Sequence, residues 1–156
     1  MIVIIFLSFI LDNVISLFIN KNSIFFPLFT LLSLIIIFSY NLKDYKYFLL
    51  SSVVGLIYDV MFTETLFLNS SIFLLFSLGI YLIFTKINYN LINIIFVSLL
   101  LIVSYRVITY CLFLLDFSVP FNVILLLRGI YSSIIINIGY VILLYFIKNK
   151  SINSSK

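Results

Sequence analysis

The chain has 156 residues, 65% of them hydrophobic and only 9% charged, with a mean hydropathy of +1.35. A globular domain carries about 25% charged residues, so a water-soluble domain is excluded and lipid is the expected solvent. Histidine is absent and Cys111 is the single cysteine, which removes the commonest general base and metal ligand and any internal disulfide. The net charge of +4 is no nucleic-acid signal, because the nine basic residues are dispersed or stand at the ends of apolar runs.

Six apolar segments follow in order, and the expected fold is all-α: an integral membrane protein built as a compact bundle of six transmembrane helices. The first covers residues 2–19, interrupted by Asp12 and Asn13. It lacks a basic leading region and a small-residue cleavage site, so a retained helix is expected in place of a signal peptide. The second covers 24–40, with Pro27 near its start, where proline costs a helix little. The third and fourth cover 47–62 and 66–84, joined by a turn at Thr63–Thr65. The fifth, 91–115, is long enough to need tilt, and the sixth covers 122–147. These form one domain over residues 1–147, with 148–156 as a short polar tail expected to be disordered. No internal repeat, linker or domain boundary is evident. Runs such as Val123–Leu127 and Ile94–Ile102 do not alternate apolar with polar residues, so a membrane β-barrel is not the reading.

Charge sets the orientation. Lys43, Lys46, Lys86, Lys148, Lys150 and Lys156 share one side, whereas the other carries Lys21 with the acidic Glu64 and Asp116. Both termini are therefore expected in the cytoplasm, in a multi-pass membrane protein. Tyr40, Tyr45, Tyr47, Tyr89 and Tyr145 fall near the cytoplasmic ends and fit an interfacial belt.

Asp12, Asp59, Arg106 and Arg128 lie inside apolar segments, where an ionised side chain is costly unless paired or hydrated. At about 1.5 Å per residue, Asp12 and Arg128 sit about 10 Å in from the outer helix ends, Arg106 about 13 Å and Asp59 about 5 Å. A polar cluster in the outer half, with at least one Asp–Arg contact, is expected. It would serve either as an outward pocket or docking site or as an internal network fixing helix register. Ser51, Gly55 and Asp59 recur every four residues on one face of the third segment, and Gly129, Ser133 and Asn137 do so on the sixth. Small residues at that spacing let helices approach closely, so these two segments are expected to form the bundle interior. Asn69, Ser70 and Ser71 open the fourth segment, where side chains of these types can cap a helix start.

Residues 55–69 run from Gly55-Leu-Ile-Tyr-Asp59 through a short turn into a second apolar helix at Asn69, continuing to Gly79-Ile-Tyr81. A glycine, three apolar residues and an aspartate before such a turn resembles the MreD family of rod shape-determining proteins. Length, six segments, inside termini and tiny loops agree. The family usually carries a Leu-Gly or Ile-Gly step after the aspartate, where this chain has Leu66-Phe67-Leu68-Asn69. The resemblance implies a non-enzymatic subunit of the cell-elongation machinery, which helps to organise lateral peptidoglycan synthesis and needs no cofactor. It also implies an MreC-like bitopic partner and, indirectly, MreB filaments, RodA and a class B penicillin-binding protein.

Two other classes are weighed against it. A solute-binding subunit of an energy-coupling-factor vitamin transporter is also a compact six-helix bundle with an outward pocket. Such subunits commonly use an Ala-x-x-x-Ala face on the first helix and tryptophan in the pocket; this chain has no alanine and no tryptophan. An intramembrane enzyme acting on lipid phosphates would need clustered carboxylates with a divalent cation. Asp12, Asp59, Glu64 and Asp116 are scattered over different segments.

Overall fold

The computed structural model describes residues 2–18, 27–40, 44–62, 67–115 and 122–154, all helical apart from short connections. Lys21, Lys43, the turn at Thr63–Thr65 with Glu64, Asp116 and Lys156 lie outside the described residues. Six helices follow in order: α1 (Ile2–Phe18), α2 (Phe29–Phe38), α3 (Asp44–Phe62), α4 (Leu68–Phe84), α5 (Leu91–Leu115) and α6 (Val123–Ser154). Stretches within three of them, Asp44–Phe62, Leu91–Leu112 and Leu126–Asn149, are long and apolar enough to cross a membrane.

α2 is the centre of the molecule. It packs against all five other helices, and every residue from Phe29 to Ile37 is buried. With ten residues it is about 15 Å long, half of a bilayer core of about 30 Å. The expectation that the third and sixth segments form the interior is corrected here. Those two carry small-residue stripes yet expose much of their surface, and the apolar α2 fills the middle. The reason is physical: against lipid, an apolar side chain gives no sign of whether it faces a neighbour or a tail.

Packing fixes the sense of the first three helices. Tyr47, near the start of α3, meets Phe38 at the end of α2 with ring centroids 5.5 Å apart, and its hydroxyl donates to the Leu34 carbonyl at 3.2 Å. At the opposite end of α2, Phe9 of α1 lies 6.4 Å from Tyr58 of α3. α1 and α3 therefore run parallel, both antiparallel to α2. At the end of α2 near Tyr47, Tyr89 donates to the Ile35 carbonyl at 3.3 Å, and the Lys148 ammonium sits 4.6 Å from the Tyr89 ring centroid.

α3 and α4 form the most extensive pair. Polar contacts link them along their length, from Tyr81 donating to Asp44 at 3.1 Å to the Ser51–Ser77 hydroxyl contact at 2.9 Å and the Ser52–Ser70 contact at 2.9 Å.

The boundaries depart from expectation at three places. Pro27 and Leu28 precede α2, so the second helix begins later than residue 24. α3 starts earlier, with Asp44 in its first turn, where a carboxylate favours the positive helix end. The tail expected to be disordered instead continues α6 to Ser154. No Gly or Pro follows Gly139, and each residue added to an existing helix escapes the nucleation cost.

Candidate functional site

The two buried aspartates stand at two helix starts. An α-helix begins with backbone N–H groups that have no partner within the helix, and where they are buried each must find a partner in the protein. Asp12 of α1 does this for α2: Phe29 N–H donates to its Oδ1 at 3.0 Å and Thr30 N–H to its Oδ2 at 2.9 Å. The Thr30 hydroxyl adds a further bond to Oδ2. Leu28 N–H is met from α6, by Asn137 Oδ1 at 2.9 Å, while Asn137 Nδ2 holds the Ser133 carbonyl at 2.8 Å.

Asp59 repeats the device between α3 and α4. Asn69 N–H donates to its Oδ1 at 3.1 Å and Ser70 N–H to its Oδ2 at 3.1 Å, with Asn69 Nδ2 adding a bond to Oδ1 at 2.9 Å. In both cases two consecutive amides share the two oxygens of one carboxylate from the preceding helix. A helix N-terminus carries about half a positive charge, which favours a carboxylate at each of these positions.

This geometry gives the aspartates an organising contact that the expected Asp–Arg pairing did not include. The bonds of Asp12, and the Asp59 bonds given above, make the two aspartates caps for the next helix. Arg106, buried on α5, donates through Nε to the Ser133 hydroxyl at 3.0 Å. It still belongs to the same layer: Asp12, Asp59 and Arg106 all lie within electrostatic reach of the Tyr105 phenol, which donates to Asn69 Oδ1 at 3.0 Å. Arg128 does not join them. Its side chain is exposed on α6, so its place in the expected cluster is corrected. Its neighbour Gly129 turns inward with Ser133 and Asn137, as their spacing requires.

Gly55 explains how α4 reaches Asp59. A β-carbon there would lie 2.6 Å from Ser70 Cα and 2.7 Å from the Asn69 carbonyl oxygen, so the absent side chain admits the first turn of α4. Ser51, Gly55 and Asp59 all face α4 and are buried, as their four-residue spacing predicts. The expectation that Asn69, Ser70 and Ser71 cap α4 with their own side chains is corrected. The described contacts direct Asn69 to Asp59 and Tyr105, Ser70 to the Ser52 carbonyl at 3.1 Å, and Ser71 to the Phe67 carbonyl at 2.8 Å. The chain enters α4 through Phe67 at φ 67°, ψ 0°, a left-handed conformation costly for a side chain of this kind.

Ser8, Thr30, Tyr105 and Tyr140 complete the layer and were not singled out by sequence. Ser8 and Tyr140 join α1 to α6 through a hydroxyl contact of 2.6 Å. A signal for Ser8 was available: Ser8-Phe-Ile-Leu-Asp12 and Gly55-Leu-Ile-Tyr-Asp59 share a small residue, an apolar pair around isoleucine, and an aspartate. Each motif ends in a carboxylate that caps the following helix, so the α1–α2 and α3–α4 hairpins use the same capping device.

Among the described residues, every buried side-chain nitrogen and oxygen has a hydrogen-bond partner. Among them, too, no group of three or more His, Cys, Asp and Glu side chains comes together as a metal site would require. The chain matches no family model, no curated protein and no solved structure.

Proposed function

We propose that this chain is a non-enzymatic, multi-pass subunit of a bacterial cell membrane, with six spans and cytoplasmic termini, that binds an MreC-like bitopic protein. In this reading it helps to organise cell elongation and lateral peptidoglycan synthesis, linked indirectly to MreB filaments, RodA and a class B penicillin-binding protein. The observation that carries the reading is the joint placement of Gly55 and Asp59. The two residues on which the MreD resemblance rests both engage the first turn of α4, one by yielding space and one by capping. Phe67 adds to this, because its backbone takes a glycine-like conformation in the step where that family usually carries glycine.

The internal satisfaction of the polar layer favours a structural role over a solute pocket. Asp12, for example, spends its oxygens on Phe29 and Thr30. A bundle of this kind acts by lateral helix contacts and short loops.

Detergent co-purification of the tagged chain from its native host, followed by mass spectrometry, tests the proposal. Recovery of an MreC-like bitopic protein, lost with Asp59→Leu, is expected. Recovery of a transporter ATPase pair or a bound vitamin in its place would overturn it.

A further inference from the structure

α6 carries a cation at each end of an apolar stretch. Residues 129–147 hold no charge, and Arg128 and Lys148 bound them. At about 1.5 Å per residue the two stand about 30 Å apart along the helix, the thickness of a bilayer's hydrocarbon core.

Neither cation is matched by an acid of the chain. Arg128 is exposed beside Ile124, Leu127 and Tyr131, and among the described residues it has no hydrogen-bond or ion-pair partner. Lys148 is only 8% exposed, with its ammonium 4.6 Å from the Tyr89 ring centroid and 6.0 Å from that of Tyr40. Aromatic faces attract the charge, yet they leave its three N–H donors without an oxygen acceptor. The ammonium remains accessible, because among the described residues no enclosed side-chain nitrogen lacks a hydrogen-bond partner.

We propose that Arg128 and Lys148 each bind the phosphate of a phospholipid, in the outer and the inner leaflet respectively, and so set the depth of the bundle. The inference rests on the membrane-spanning part of the function proposed above and not on the partner. The spacing identifies the ligand, since phospholipid phosphates are the anions that a bilayer presents in two layers bounding such a core. A carboxylate on a neighbouring helix would match one cation and has no reason to recur about 30 Å away at the other. Helical side chains lean toward the helix start, so the Arg128 stem leads its guanidinium outward, and the planar fork suits two phosphate oxygens. Tyr131 stands near the outer cation and Tyr40 and Tyr89 at the inner one, as membrane interfaces favour.

The two cations also place α2. Asn137, which accepts from Leu28 N–H, lies about 14 Å from Arg128 and about 16 Å from Lys148 along α6. The start of α2, capped by Asp12, therefore falls near the middle of the bilayer, and α2 covers the inner half. Its length agrees. About 15 Å long, α2 runs from Asn137 to the level of Tyr89, whose ring faces the Lys148 ammonium.

Two measurements on the full chain test this. The sequence has no tryptophan, so a single one at exposed Leu127, Ile136 or Phe146 reports its own depth. The variants are placed in vesicles of phosphatidylglycerol and phosphatidylethanolamine whose acyl chains are brominated at a shallow or a deep position. Ile136→Trp should be quenched most by the deep bromines, Leu127→Trp and Phe146→Trp by the shallow ones. Any other order would overturn the proposal. Native mass spectrometry of the detergent-solubilised chain, titrated with dioleoylphosphatidylglycerol, reads binding directly. Arg128→Gln with Lys148→Gln should weaken it about tenfold, and Arg128→Lys with Lys148→Arg much less. Parental binding by the glutamine double variant would overturn the proposal. So would full displacement of the lipid by millimolar inorganic phosphate, which would make these sites for a free anion. Release of the chain from membranes by carbonate would overturn this inference and the proposed function together. Recovery of transporter subunits in place of a bitopic protein would overturn the proposed function, while the depth order and lipid binding decide this inference by themselves.

Discussion

Ser70, in the first turn of α4, lies so close to Gly55 that its Cα would stand 2.6 Å from a β-carbon on that residue. The atoms in the way are backbone, which cannot swing aside as a side chain can. Gly55→Ala should therefore push α4 off α3 and weaken the Asp59 cap, at a cost of about 1–3 kcal/mol. Gly79 is the internal control, with nothing within 4 Å of its would-be β-carbon. Gly79→Ala should be neutral or stabilising by up to about 1 kcal/mol through helix propensity. Thermal unfolding of the two variants in detergent checks the contrast; equal loss in both would remove the role assigned to Gly55.

Asp59 accepts two backbone amides and the Asn69 side chain. Asp59→Leu strands those donors in a buried site, and each stranded group costs about 1–3 kcal/mol. Asp59→Asn keeps one accepting oxygen and should fall between Leu and the parent. Membrane accumulation and thermal midpoint should follow the order Asp, Asn, Leu.

Asp12 binds amides and a hydroxyl of α2, and a cation is not among its partners. A charge exchange, Asp12→Arg with Arg106→Asp, should accordingly rescue nothing, since an arginine cannot accept from Phe29 or Thr30. Accumulation of the double variant above both single variants would show that the two charges are coupled more directly. Thr30→Val, which removes only the hydroxyl bond, should cost about 1 kcal/mol.

Phe67 is 64% exposed and holds φ at 67°. The left-handed region costs an ordinary residue about 1–2 kcal/mol, a penalty glycine escapes. Phe67→Gly should raise the thermal midpoint, and a lowered one would show that the phenyl ring holds α4 in place.

The helices were legible because long apolar runs without strand-like alternation admit little else. Five of the six lie within a few residues of expectation, apart from the extended end of α6. What the sequence could not rank was burial. Leu31 and Ile36, fully enclosed in α2, read the same as Ile92 or Phe96, which face outward. The polar residues were easier, because an aspartate in an apolar run must find donors, and Asp12 and Asp59 were both marked. Their backbone partners went unforeseen for a definite reason: composition shows the charges available but hides the amides of a helix start, which every residue type carries alike. Phe67 was hidden as well, since nothing in a phenylalanine announces a left-handed turn.

The short α2 has a consequence for the order in which the protein is made. Its first amides wait on two residues far apart in synthesis, Asp12 just before it and Asn137 in the last helix. A nascent chain entering the membrane can close the first of these clasps as soon as α2 follows α1. The second stays open until α6 emerges, so Leu28 remains unsheltered through most of translation. The centre of the molecule is thus among its earliest parts to be synthesised and the last to be sealed.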